Sequence, residues 1–186
     1  KPAVLISTSG TAPANFYPAV IEASISRVPI IILSADRPDF LVGTGANQTI
    51  DQQNLYGGHV RYFSDLGIPS NKFDILHEIL DKAFQHSAAV KMEAPPGPVH
   101  LNFPFDEPLL PKKLEEIQIP SFKSHAKSEI KCNGQVPILQ EAKRPLIIVG
   151  PLEGNTHQKE IIKFAEKINV PILSDPLSQL RYGFSS

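Results

Sequence analysis

An α/β fold with a parallel sheet is predicted from three features of the sequence. Short apolar runs without polar alternation read as strands buried on both faces. Segments of helical period separate those runs. Beyond a proline-bearing stretch the same pattern starts again.

The elements follow in order. Ala3–Ser7 (AVLIS) is the first strand, closed by the small polar turn Thr8-Ser9-Gly10-Thr11. Residues 13–27 read as a helix whose prolines, Pro13 and Pro18, fall early, where a missing N–H costs least. Residues 29–35 (PIIILSA) form a second, β-branched strand, which completes a strand–helix–strand unit. Residues 36–56 have no period and carry Gly43 and Gly45. An irregular loop after a buried parallel strand is where such sheets place their sites.

Residues 60–66 read as a strand, and residues 73–89 as a helix with Leu76, Leu80, Ala83, Phe84, Ser87 and Ala88 on one face, capped by Ser70 or Asn71. Residues 97–103 (GPVHLNF) are another strand. From about residue 106 the prolines Pro108, Pro111 and Pro120 and mixed charges without a period mark a linker. The pattern resumes with a strand at 145–150, a helix capped by Asn155 or Thr156 and running to about 168, and a strand from 170. One domain over residues 1–107, a linker over 108–143 and the start of a second α/β domain over 144–186 are therefore expected. Lys1 enters directly into a strand, and the second unit has barely one strand–helix–strand turn, so an excised piece of a longer protein is expected.

Composition narrows the function. With 18 basic and 19 acidic residues the formal charge is -1, which offers nothing to nucleic acid or an anionic membrane. No apolar run approaches the ~20 residues of a membrane span. The first residues lack a signal-peptide pattern, and Cys132 is the sole cysteine, so a reducing, cytoplasmic setting is expected. The 18 prolines, about twice the usual ~5%, sit at element boundaries and punctuate a folded chain. The six histidines show no metal-ligand spacing, and His77 and His86 are expected to be exposed on their helix. No phosphate loop, GxGxxG or GxSxG is present.

The candidate site begins at Ser9-Gly10-Thr11-Ala12-Pro13-Ala14-Asn15, where a strand meets a helix. Small residues and free backbone N–H groups there could receive a polar or anionic ligand; ordinary capping by Ser9 or Thr11 is the other reading. Ser34-Ala35-Asp36-Arg37-Pro38 follows the next strand, then Gly45-Ala46-Asn47-Gln48-Thr49-Ile50-Asp51-Gln52. The set SGTAxAN, ADRP and GANQxIxQ, in this order, resembles the pyrimidine-binding domain of the thiamine-diphosphate-dependent synthases of menaquinone biosynthesis. The resemblance continues through residues 97–104 and into Ser174-Asp175-Pro176-Leu177-Ser178-Gln179, within what would be part of a Rossmann-like central domain.

The resemblance implies an enzyme that decarboxylates 2-oxoglutarate on thiamine diphosphate and joins the remainder to isochorismate, with Mg2+ or Mn2+ anchoring the diphosphate. It implies a homo-oligomer, a homodimer at least, with active sites between subunits. By position, Arg37, Asn47 and Gln48 match the isochorismate pocket, and Ser9, Gly10, Thr11 and Asn15 the cofactor turn. An arginine fork suits a carboxylate, and amides suit hydroxyl and carboxylate oxygens. A salt bridge to Asp36 or Asp39 is the competing reading of Arg37, and a turn role that of Asn47. Thr11 and Ala12 replace the proline and second glycine of the wider pattern SGPGxxN, which sets the chain apart from acetohydroxyacid-synthase and benzoylformate-decarboxylase relatives.

The glutamate that protonates the cofactor would precede the chain, and the metal-binding GDG pattern is absent from it, so no catalytic residue is assigned and the isolated chain is expected to be inactive. Two other classes stay open. Gly150-Pro151-Leu152-Glu153-Gly154 before a helix could mark a nucleotide-binding module, although its spacing is wrong. A purely structural or interaction domain would keep the motifs for packing.

Overall fold

The computed structural model describes residues 1–70, 73–90, 94–110, 142–152 and 157–181. Asn71, Asn155 and Thr156, three of the expected caps, lie outside these residues. So do His125, Cys132, Glu153, Gly154 and most of the expected linker. Two compact units are present, Lys1–Gln118 and Ile119–Ser186.

In the first unit the elements are β1 (Ala3–Ser7), α1 (Thr11–Ala14), α2 (Tyr17–Ile25), β2 (Ile30–Asp36), β3 (Phe63–Asp65), α3 (Phe73–Ala88) and β4 (Pro98–Pro104). The strands form one sheet in the order β1-β2-β4-β3, with every neighbouring pair parallel. Alternate residues of β2 serve opposite faces, as strand geometry requires. Ile30 and Ile32 join Val20 of α2 and Tyr56, while Ile31 and Leu33 join Ala83 of α3, Val99 and Leu101. Helices thus cover both faces, as the unbroken apolar runs imply.

Three expectations about the elements themselves change. The helix expected over 13–27 is two helices. Pro18 has no N–H to give the Ala14 carbonyl, so the chain breaks at Asn15-Phe16, where the Phe16 N–H turns back to the Pro13 oxygen at 3.0 Å. Next, β3 is shorter than residues 60–66, although Arg61 N–H to Pro98 O (2.7 Å) and Leu66 N–H to Asn102 O (2.9 Å) carry the pairing beyond it. Finally, β1 is not buried on both faces. It lies at the sheet edge, and Val4 and Ile6 are 54% and 77% exposed because α3 packs over β4 and β2.

A clamp closes the amino end of the sheet. The Arg61 guanidinium donates to Ser24 O (2.7 Å), Ser24 Oγ (3.0 Å) and Pro95 O (3.2 Å). Gly97 lies flat beneath it: a Cβ there would stand 2.7 Å from Arg61 Nε. His77 and His86 are half-buried rather than exposed, and His86 is stacked on Tyr62 with centroids 5.1 Å apart.

In the second unit β5 (Ile147–Val149) and β6 (Ile172–Ser174) pair in parallel around α4 (Gln158–Ile168). Val149, Ala165 and Val170 are buried there.

Candidate functional site

The carboxyl ends of the strands carry a row of polar residues. Ser7 pairs with Ser34, Ser34 with Asn102, and Asn102 with Asp65, so their side chains share one face across all four strands. Ser34, His100 and Asn102 are fully buried there, and Gln52 descends onto them from the loop.

Charge fixes the hydrogen-bond directions in this row. The carboxylates of Asp36 and Asp65 can only accept, so the Asn102 amide turns its nitrogen to them, at 2.7 and 2.8 Å. Asn102 Oδ1 then accepts from Ser34 Oγ (2.8 Å) and Gln52 Nε2 (2.9 Å). With the Ser34 hydrogen spent, His100 Nε2 at 2.7 Å must donate to that hydroxyl. This leaves His100 Nδ1 bare and unpartnered among the described residues. Burial pushes the His100 imidazole down to about 4, only weakly opposed by Asp65, so it is neutral at pH 7. Burial raises the Asp36 carboxyl above its ordinary range, while the Asn102 amide and the Arg37 N–H pull the other way and Asp65 and Asp39 add to the rise.

The β1–α1 turn is joined to this row. Gly10, at φ 77° and ψ -134°, adopts a backbone that side chains disfavour. Its N–H donates to Gln52 Oε1 at 2.8 Å, so it is not free as the sequence reading expects. Ser9 is buried, and its hydroxyl donates to Gln48 O (2.9 Å) instead of capping; α1 has no side-chain cap at all. Gln48, with φ at 56°, donates through Nε2 to Thr8 Oγ1 (3.0 Å) and Ser9 O (3.1 Å). The Gln48 backbone lies so close that a Cβ on Gly10 would stand 3.0 Å from its oxygen.

Ser9, Gly10 and Gln48 therefore form one contact set. Thr11 at the start of α1 and Asn15 at its end are exposed and make no side-chain bond to that set among the described residues. Arg37 follows β2, half-buried, its N–H on Asp36 Oδ1 at 2.7 Å. Among the described residues its guanidinium meets no carboxylate, so neither Asp36 nor Asp39 takes it as an ion pair. Asn47 is exposed in the same loop, and its carbonyl accepts from Thr49 Oγ1 at 3.1 Å.

Sequence reasoning missed Asn102, His100 and the role of Gln52. The signal was present: His100 and Asn102, like Ser34 and Asp36, are polar residues two apart in strands that are otherwise apolar. Among the described residues no group of three His, Cys, Asp or Glu could hold a metal ion, and no helix is long and apolar enough to cross a membrane.

Comparison with known proteins is specific. Residues 1–55 match the family described as thiamine pyrophosphate enzyme, N-terminal TPP binding domain. Proteins named 2-succinyl-5-enolpyruvyl-6-hydroxy-3-cyclohexene-1-carboxylate synthase are similar along nearly the whole chain. That of Listeria innocua is 39% identical over 98% of this chain and 33% of its own length. That of Geobacillus kaustophilus is 40% identical over 98% and 33%. That of Chlorobium phaeobacteroides is 42% identical over 97% and 34%. The chain is thus similar, almost from end to end, to a stretch about one third the length of proteins named 2-succinyl-5-enolpyruvyl-6-hydroxy-3-cyclohexene-1-carboxylate synthase, and its residues 1–55 match the thiamine pyrophosphate enzyme N-terminal domain.

Proposed function

We propose that the chain is part of a thiamine-diphosphate-dependent synthase that joins decarboxylated 2-oxoglutarate to isochorismate in menaquinone biosynthesis. The observation that carries this reading is the similarity to synthases of that name over 98% of the chain. In this reading residues 1–107 belong to a pyrimidine-binding domain, 108–143 to a linker and 144–186 to the start of a central domain. The protein is a cytoplasmic homodimer, and its Mg2+ or Mn2+ is held by residues outside this chain.

The turn fits the cofactor in part. The Thr11 hydroxyl and the Asn15 amide are exposed and uncommitted among the described residues, so they can hydrogen-bond a pyrimidine ring. Ser9 and Gly10 are already engaged and act by shaping the turn. When bound, thiamine diphosphate supplies the nucleophilic carbon on which a 2-oxo acid loses carbon dioxide.

The chain's own residues bind the acceptor substrate. Arg37, free of carboxylates among the described residues, offers two parallel N–H groups to one carboxylate of isochorismate. Gln48 has given both amide hydrogens to Thr8 and Ser9, so only its Oε1 remains, and it accepts from the substrate hydroxyl. Asn47 beside it, with its side-chain amide unengaged among the described residues, serves the second polar group. The test is product formation by the full-length protein from 2-oxoglutarate and isochorismate. Turnover of pyruvate with a second 2-oxo acid instead would move the protein to the acetohydroxyacid-synthase type.

A further inference from the structure

We propose that Gln52 is a positioning residue whose single amide ties the loop bearing Asn47 and Gln48 at once to the cofactor turn and to the sheet, so that the acceptor pocket and the turn are positioned together. The inference rests on the functional reading above for what the two halves bind, but not for the lock itself.

Gln52 is 1% exposed, and all three of its hydrogen-bonding groups are engaged. Its oxygen accepts from Gly10 N–H at 2.8 Å, and its nitrogen donates to Ala35 O at 3.1 Å and Asn102 Oδ1 at 2.9 Å. These partners come from three places: the β1–α1 turn, the end of β2 and the middle of β4. The direction of the amide is forced from below. Asp36 and Asp65 hold the Asn102 nitrogen, Asn102 therefore presents oxygen, and Gln52 must present nitrogen to it. Its oxygen is left pointing at Gly10.

Around Gly43 and Gly45 the loop has little to hold it. Gly43 and Gly45 have positive φ, with nothing within 4 Å of either Cβ position. Asn47 and Gln48 are exposed. The other ties to the turn are the bonds of Gln48 with Thr8 and Ser9 and, at the far end of the loop, the buried Tyr56 hydroxyl, which donates to Pro13 O at 2.7 Å. A glutamate at position 52 would keep the shape and the acceptor for Gly10, but it would set oxygen against Ala35 O and Asn102 Oδ1. A methionine would keep the volume and lose all three bonds.

The experiment is carried out on the full-length protein with Gln52→Glu, Gln52→Met and Ser9→Ala. Hydrogen exchange should quicken by about tenfold, the value of one buried hydrogen bond, in peptides covering both 8–16 and 44–55 of the two Gln52 variants. The peptide of α3 should keep its rate. With wild-type protein active, the thiamine diphosphate dissociation constant and the isochorismate KM should rise together by a similar factor. Wild-type exchange in either segment, or a rise in only one of the two constants, overturns the proposal. Should both Gln52 variants unfold, Ser9→Ala decides: the lock predicts that loop and turn stay protected together, and their release in Ser9→Ala overturns it. Failure of wild-type protein to make product refutes the functional reading and leaves the exchange result to judge Gln52.

Discussion

Replacing Asn102 with leucine removes a side chain of similar size from the centre of the polar row. Four hydrogen bonds disappear: those from Ser34 and Gln52, and those to Asp36 and Asp65. Each partner keeps another bond. Ser34 retains His100, Gln52 retains Ala35, Asp36 retains the Arg37 N–H, and Asp65 retains Gln53 and Gly67. The loss is therefore the net value of a bond, about 1 kcal/mol each, and sums to about 4 kcal/mol. Against a domain stability of about 5–15 kcal/mol this is a large share. Urea unfolding followed by far-UV circular dichroism suits a chain without tryptophan. At an m-value of about 2 kcal/mol/M the midpoint should fall by about 2 M. Asn102→Asp should be worse at pH 7, since a third carboxylate then faces Asp36 and Asp65, and should recover relative to leucine as the pH drops into the carboxylate range. A leucine variant within about 1 kcal/mol of wild type would show that the row is solvated and that the hydrogen-bond directions derived from it are wrong.

Three further outcomes are expected. His100 titrates near 4 when folded and near 6.5 when unfolded, so the unfolded chain binds more protons between those values. Its share of stability is complete above pH 7 and is lost as pH falls from 6.5 to about 4; denaturation midpoints across that range should flatten in His100→Phe. Gly97→Ala should cost about 1–3 kcal/mol by forcing the Arg61 guanidinium off its carbonyls, and the cost should shrink in the Arg61→Ala background of a double-mutant cycle. On the proposed function, Arg37→Ala in the full-length protein should lower kcat/KM for isochorismate by about one to two orders of magnitude, the value of a charge-assisted pair. Decarboxylation of 2-oxoglutarate should be spared and lysine should rescue only in part, and equal damage to both half-reactions would return Arg37 to a structural role.

The sheet was readable because its signal is local. The unbroken β-branched run in β2 can only be satisfied between two layers, and the structure supplies them. The exposure of β1 was not readable, because an apolar run reports what could be covered and not what covers it. The motifs located the turn and the loop, but not that the two are bonded to each other. Gly10 meets Gln52, and Ser34 meets Asn102, only through pairings between distant segments. Which way an amide faces depends in turn on carboxylates in other strands. In sequence Pro18 reads as a residue tolerated early in one helix, whereas its missing N–H places it in the first turn of another.

The sheet order also sets the sequence of events as the chain folds. The β2–β4 register joins Ile30 to Pro98, so the central pair closes only after 67 intervening residues have been gathered in. Loop-closure entropy must be met before that ladder returns any enthalpy, which places its formation late and makes it slow relative to the local β1–β2 pairing. Every bond to Asn102 from β2 and from the loop waits on the same event. A folding intermediate holding β1, the two short helices and β2 would already display the SGTA turn, yet Gln52 would lack the acceptor that orients it. Orientation of that amide is therefore acquired in the step that completes the sheet, and a kinetic probe at Gly10 should report the slowest phase rather than the earliest.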